Sequence, residues 1–302
     1  MLNKFYSRKP KYIDKKTNIP VFKNQDEDVN EFSILNAAEI HDNALKWLFA
    51  THDVNEDELR KCMINKLDLK KGDNVLMTAT GAGNDIKYIM EKIGTSGTLY
   101  AQDFAKEMLF AAFERSKTEL DLKKYNIEFS VSDATDLPFN NNCFDATFHF
   151  GGINLYNDIK KGIDEMHRVT KNKGKIVFGD EGLACWLKKT ELGNALITNN
   201  KLYDSEPPLN LLPRSSSKVN LSWVINNCFY LIEYNKDENE WNANIDIKHA
   251  GKRGGSIRTR HYGILEGIDP KLKEDFYKKI LNERKSRVDT IEDLIQTYLK
   301  KK

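Results

Sequence analysis

Val75-Leu76-Met77-Thr78-Ala79-Thr80-Gly81-Ala82-Gly83-Asn84-Asp85 runs from a short hydrophobic stretch into a Gly-x-Gly turn and on to a helix start. The apolar run has the length of a buried strand. Glycines at such a turn let backbone N–H groups come close to a ligand, and the following helix offers its positive N-terminus. Alone, the pattern is equally a plain turn, so its weight comes from what surrounds it. Strands are expected at Asn74–Ala79, Thr98–Gln102, Ile127–Ser132, Ala146–Phe150 and Lys175–Gly179, alternating with helices at Asp85–Ile93, Lys106–Leu120 and Ile159–Val169. That alternation predicts βαβ units and a doubly wound, mostly parallel α/β sheet. A helix over Leu183–Leu202 follows. Two further strands, Val219–Tyr234 and Glu240–Lys248 around a turn at 235–239, are expected to close the sheet as an antiparallel edge.

Working outward, residues 1–30 are polar, broken by Pro10 and Pro20, and read as a loosely held arm. Between Glu31 and Leu67 apolar residues recur at helical spacing and predict two or three amphipathic helices. The expected organisation is an arm and helical cap over 1–60, a ligand-binding domain over 61–248 and a basic extension over 249–302. The 302 residues carry a formal charge of +2, but residues 249–302 hold 14 Lys/Arg against 8 Asp/Glu, which leaves −4 for the rest. This near balance argues against a protein that binds nucleic acid by bulk charge, although the basic tail keeps that alternative open. Cys62, Cys143, Cys185 and Cys228 lie far apart with no C-x-x-C pair, which speaks against a disulfide scaffold or a zinc site and suits a reducing compartment. The start of the chain lacks the apolar stretch of a signal peptide, and no window reaches the roughly 18 to 20 apolar residues of a membrane span. The expectation is a cytoplasmic protein with no membrane insertion and no metal.

Twenty residues after Gly83, Asp103 stands at the end of the second strand. A carboxylate there can accept two hydrogen bonds from a ribose diol, or cap the helix that follows. At the end of the third strand, Asp133 can meet the exocyclic amine of adenine beside a neighbouring backbone N–H, or again serve as a cap.

Beyond these positions, Gly94-Thr95-Ser96-Gly97-Thr98-Leu99-Tyr100-Ala101-Gln102-Asp103-Phe104-Ala105-Lys106-Glu107-Met108-Leu109 resembles the class I S-adenosylmethionine-dependent methyltransferases, nearest to the ubiquinone/menaquinone-biosynthesis type. Asp133-Ala134-Thr135-Asp136-Leu137-Pro138-Phe139, Cys143-Phe144-Asp145-Ala146 and Met166–Lys175 are similar to its later motifs, in the right order, over about residues 60–182. The resemblance implies a Rossmann-like seven-stranded sheet with an antiparallel last strand, S-adenosylmethionine as cofactor, and methyl transfer to a small-molecule acceptor. It implies that Ala79, Gly81 and Gly83 pass under the methionine part of the cofactor. Asp103 would hold the ribose, Phe104 or Met108 would pack on adenine, and Asp133 and Ala134 would read its edge. His149 to Asn154 would line the space near the methyl group. The family usually carries an acidic residue at Met77 and a glycine at Ala79; Asp85 or a polar group of the N-terminal helices is expected to stand in for the former. These departures motivate a second chemistry, transfer of the aminocarboxypropyl group.

Methyl transfer needs alignment and exclusion of water more than covalent help, and a base only for a protonated nucleophile. His149 is the candidate base, or else a structural histidine. Asp180 and Glu181 at the end of the fifth strand orient a substrate or cap a helix. His41 and Asp42 are either functional or solvated helix surface. Arg258 and Arg260 share one side if the segment is extended and suit an anionic group of the acceptor, or else lie in a solvated loop or partner the acidic surface of residues 1–248. Trp223, Phe229, Tyr230 and Trp241 read as packing residues of the last hairpin. A homodimer is compatible with all of this.

Overall fold

The computed structural model describes residues 4–23, 32, 34, 36–120, 123–250, 254–262 and 268–300, the last three of the 254–262 stretch by backbone alone. The chain divides into two compact units, Met1–Trp241 and Asn242–Lys302. In chain order the first holds β1 (Tyr12–Ile13), β2 (Pro20–Val21), α1 (Ala37–Thr51), α2 (Glu56–Asn65), β3 (Asn74–Thr78), α3 (Ile86–Ile93), β4 (Thr98–Asp103), α4 (Lys106–Glu119) and β5 (Asn126–Val131). There follow β6 (Phe144–Phe150), α5 (Ile159–Val169), β7 (Thr170–Glu181), α6 (Glu191–Asn199), β8 (Ser216–Val224) and β9 (Phe229–Lys236). All the strands join one sheet in the order β1-β2-β5-β4-β3-β6-β7-β9-β8. β5, β4, β3, β6 and β7 run parallel, and β9 is antiparallel to both β7 and β8.

The position of β3 follows from its composition. Val75, Leu76 and Met77 are at most 2% exposed, and a parallel strand covered on both faces reads as an unbroken apolar run. Alternation sends Val75 and Met77 into a core shared with α2, α3 and α4, and Leu76 to the opposite face with Tyr100, Phe144 and Val169. On the α5 side, Ile163 and Met166 pack against Ile176, Phe178 and Tyr230. Asn55 and Asp158 cap α2 and α5 by accepting from the N–H groups of Glu58 and Lys161. Lys236, at the end of β9, donates to Asn142 Oδ1 at 2.7 Å and to the carbonyls of His167 at 2.8 Å and Thr170 at 2.9 Å, so its ammonium closes the C-terminus of α5.

Three expectations need correction. The arm is not loosely held where it is described: Tyr12 pairs with Val21, Val21 with Val131, and Ile19, Val21 and Phe22 are buried. Phe5 and Tyr6 stack against Tyr100 and Phe139 across the sheet. These few aromatic anchors outweigh the surrounding charge. The last hairpin turns at Ile225-Asn226-Asn227, all with positive φ, rather than at 235–239, and residues 240–248 form no strand. Asparagine tolerates the left-handed backbone such a turn demands, and Trp241 is 81% exposed instead of packed. The helix expected over Leu183–Leu202 is confined to α6, started by Thr190 accepting from Gly193 N–H at 3.0 Å.

The second unit contains α7 (Ile257–Tyr262), α8 (Pro270–Asn282) and α9 (Arg287–Lys300). Among the described residues no helix is long and apolar enough to cross a membrane.

Candidate functional site

The strand order reverses between β3 and β6, and in open α/β sheets the crevice beyond the carboxyl ends of strands at such a switch point is where ligands bind. The glycine turn sits at this place. Ala79, Gly81 and Gly83 have φ of +48°, +56° and +84°. Ala79 therefore holds a left-handed backbone that a glycine would adopt at less cost. A Cβ on Gly81 would meet only the Met108 Cε at 3.8 Å; one on Gly152 would meet only the Ala79 Cβ at 3.9 Å; one on Gly151 would meet nothing within 4 Å. At these three positions the backbone leaves room for a neighbouring atom, with nothing nearer than 3.8 Å to the added carbon. Gly83 is different: its Cβ would lie 2.9 Å from Ala112 Cβ and 3.1 Å from Ala112 Cα on α4. The first half of the turn faces the crevice, while Gly83 seats α4.

Asp103 is fully drawn into the turn. Its Oδ2 accepts from Gly81 N–H and its Oδ1 from Ala105 N–H, each at 2.7 Å. Burial pushes its carboxyl up to about 6, against the pull of those N–H groups and of the Lys23 charge. Lys23, carried in by the arm just after β2, lies over the Phe104 ring at 3.6 Å from its centroid. Met108 is buried with Ala37, Ala82 and Ala105. Asp133 Oδ1 accepts from the N–H and hydroxyl of Thr135 at 2.7 and 2.8 Å, and Ala134 is buried beside it.

On the β6 side, His149 is fully buried, with Nδ1 3.0 Å from Thr78 Oγ1 and 3.4 Å from the Tyr156 hydroxyl, while its Nε2 has no partner among the described residues. Burial lowers its imidazole to about 4, so it is neutral at pH 7. Asp180 Oδ2 accepts from Asn154 N–H at 2.7 Å and Gly152 N–H at 3.1 Å, holding the turn after β6. Asn154 donates to the Glu181 carbonyl at 2.7 Å and accepts from the Tyr230 hydroxyl at 3.2 Å. Burial, and then its neighbour Asp180, push the Glu181 carboxyl above the ordinary carboxylate range.

The structure thus gathers Ala79, Gly81, Asp103, Phe104, Met108, Asp133, Ala134, His149, Asn154, Asp180 and Glu181 along one rim of the sheet. Arg258 belongs to the second unit, where it pairs with Asp246 at 2.5 Å in a helix rather than an extended segment; the Arg260 side chain lies outside the described residues. Asp85 is not available to replace the acidic residue absent at Met77, because its Oδ1 takes the Arg60 guanidinium at 2.7 Å with both side chains buried. Thr78, Tyr156, Lys23 and Arg60 were not picked out from the sequence. Each is defined by a partner 7 to 81 positions away, and no local pattern marks such a pair.

Residues 39–181 match the ubiE/COQ5 methyltransferase family. A ubiquinone/menaquinone biosynthesis C-methyltransferase of Citrifermentans bemidjiense is 35% identical over 120 residues, 39% of this chain and 50% of that protein. A demethylmenaquinone methyltransferase of Oceanobacillus iheyensis is 31% identical over 119 residues, 39% of this chain and 48% of that protein. The chain spans about half the length of the curated relatives it matches. In fold it is similar to phosphoethanolamine N-methyltransferase 2 of Haemonchus contortus, solved with S-adenosyl-L-methionine, with a TM-score of 0.54 and 14% identity over 69% of this chain and 59% of that one.

Proposed function

We propose, on the premise that residues 39–181 belong to the ubiE/COQ5 methyltransferase family, that this chain transfers the methyl group of S-adenosylmethionine to a small-molecule acceptor. The observation that carries the reading is the crevice at the β3–β6 switch point, open over Gly81, Gly151 and Gly152 and rimmed by the Asp103 carboxylate. When bound there, the cofactor supplies an electrophilic methyl on a sulfonium that leaves as a neutral thioether. Asp103 accepts from the backbone N–H groups of Gly81, Ala105 and Phe104 and would take a ribose hydroxyl with its remaining acceptor capacity, while Gly81 lets the backbone run close beneath. Asp133 and Ala134 flank the adenine end. His149 and Tyr156 line the acceptor side, with Asp180 fixing the turn that carries Asn154. A histidine held near pKa 4 is a weak base, so its role is to bind and orient a polar group of the acceptor through Nε2. Because two relatives are a ubiquinone/menaquinone biosynthesis C-methyltransferase and a demethylmenaquinone methyltransferase, quinone-type acceptors are the first class to assay.

The direct test incubates the chain with isotopically methyl-labelled S-adenosylmethionine and a panel of phenols, quinols and amines. Labelled acceptor with S-adenosylhomocysteine is the expected result. Methylthioadenosine as the product would replace methyl transfer with aminocarboxypropyl transfer.

Two site predictions accompany this. Ribose binding needs ionised Asp103, so affinity for S-adenosylhomocysteine should rise about tenfold from pH 5 to pH 7 as a group with a pKa of about 6 ionises. On folding the sign is opposite: a raised carboxyl pKa contributes stability below the ordinary carboxylate range, and that contribution is lost as pH rises through 6. Calorimetric titration of wild type and Asp103→Asn across this range checks the first statement; a pH-independent wild-type affinity refutes it. His149→Gln should lower kcat/KM by about 5- to 150-fold, equivalent to about 1 to 3 kcal/mol for one lost buried hydrogen bond, with affinity for S-adenosylhomocysteine unchanged. Steady-state kinetics beside calorimetry decide it, and intact kcat/KM returns His149 to a structural role.

A further inference from the structure

With Met77 in β3 and Asp85 engaged by Arg60, further partners for the amino-acid end of the cofactor, amino group and carboxylate alike, have to come from outside the glycine turn. The helix above that turn offers another group. α1 is anchored there by Ala37, packed with Ala82, Ala105 and Met108, and by Asp42, which accepts from Asn84 Nδ2 at 3.3 Å and pairs with Arg115 of α4. His41 lies one turn beyond Ala37, so both project from one helix face. The Phe32 ring stands edge-on to its imidazole at 6.3 Å between centroids. The His41 Nδ1 is buried and has no hydrogen-bond partner among the described residues. A buried polar atom in that state costs free energy unless a ligand or water satisfies it. Burial lowers the His41 pKa below the ordinary imidazole value; the Asp42 carboxylate opposes this, and the Arg60 and Arg115 guanidiniums add to it. A neutral imidazole carrying its proton on Nδ1 donates one hydrogen bond, which an anionic acceptor can take.

We propose that His41 Nδ1–H binds the carboxylate of the cofactor's amino-acid end, which makes α1 part of the binding site. This rests on the S-adenosylmethionine reading above.

The test compares S-adenosylhomocysteine with its decarboxylated analogue, which keeps the adenosine and the amine, by calorimetry on the full chain. Wild type should prefer S-adenosylhomocysteine by about tenfold, the scale of one hydrogen bond to a charged group. His41→Ala should remove most of that preference by weakening S-adenosylhomocysteine alone, and His41→Asn, whose amide can stand where Nδ1–H stood, should restore part of it. If the alanine variant does not fold, the asparagine variant and the wild-type preference still decide the matter. Equal affinity of wild type for both ligands, or an equal loss of both in the variants, overturns the proposal. Failure of wild type to bind either adenosine ligand instead overturns the cofactor reading itself.

Discussion

Gly83→Val is expected to lower the melting temperature of the chain by about 10 °C, from a loss of about 3 to 5 kcal/mol in a unit of this size. Two costs add. At φ +84° a β-branched residue is strained whatever the space around it. The added Cβ also meets the Ala112 Cα and Cβ at 3.1 and 2.9 Å and Ile86 Cδ1 at 3.0 Å, and two of these atoms belong to α4, which cannot retreat without leaving the sheet. From the sequence this glycine belonged with cofactor approach, so a valine would have harmed binding more than folding. The geometry reverses that order. Gly81→Ala is the control: its Cβ reaches only the end of the flexible Met108 side chain, so it should melt within a few degrees of wild type, given about 1 to 2 kcal/mol for a left-handed alanine. Thermal unfolding followed by circular dichroism separates them, and a Gly83→Val protein that melts with wild type would falsify the packing role.

Arg60→Ala should destabilise the first unit by about 3 to 5 kcal/mol, the cost of leaving one half of a buried ion pair alone. Arg60 reaches from α2 to Asp85 at the head of α3, and its Nε holds Glu56 at 2.7 Å one turn back. The guanidinium is 6% exposed and the Asp85 carboxylate 8%. Its partners hold Arg60 above the ordinary arginine value despite burial. Replacing both partners with apolar residues, Arg60→Met with Asp85→Leu, should recover much of the loss, because no buried charge then remains unpaired. Urea unfolding of the two single variants and the double variant gives the coupling directly. An alanine variant within 1 kcal/mol of wild type would contradict the buried-pair account.

The centre of the sheet was legible because its signals are local. Val75–Met77 could only be a strand covered on both sides, and Asp103 fell at a strand tip by counting from the glycine turn. Other features depend on what comes near in space. A glycine letter says that a Cβ is excluded but not what excludes it; for Gly83 that is a helix 29 positions on. Asp85 looked free until α2 supplied Arg60. The arm's charges outnumbered Phe5, Tyr6 and Phe22 in the sequence, while in the fold Phe5 and Tyr6 meet Tyr100 and Phe139, and Phe22 stacks on Tyr6 while its N–H donates to Val131 at the edge of β5. Inside the long run Val219–Tyr234, Asn226-Asn227 carried a turn signal that hydrophobic length masked.

The ammonium of Lys236 closing α5 has a consequence for the order in which the chain can assemble. The carbonyls of His167 and Thr170 leave the ribosome more than sixty residues before the lysine that satisfies them. Until β9 inserts between β7 and β8, the last turn of α5 is left to water and the β7 edge is exposed. A nascent chain halted before residue 229 therefore carries an unpaired strand edge, a template for association with other chains. The closing hairpin is thus a guard against aggregation during synthesis as well as the rim of a finished sheet.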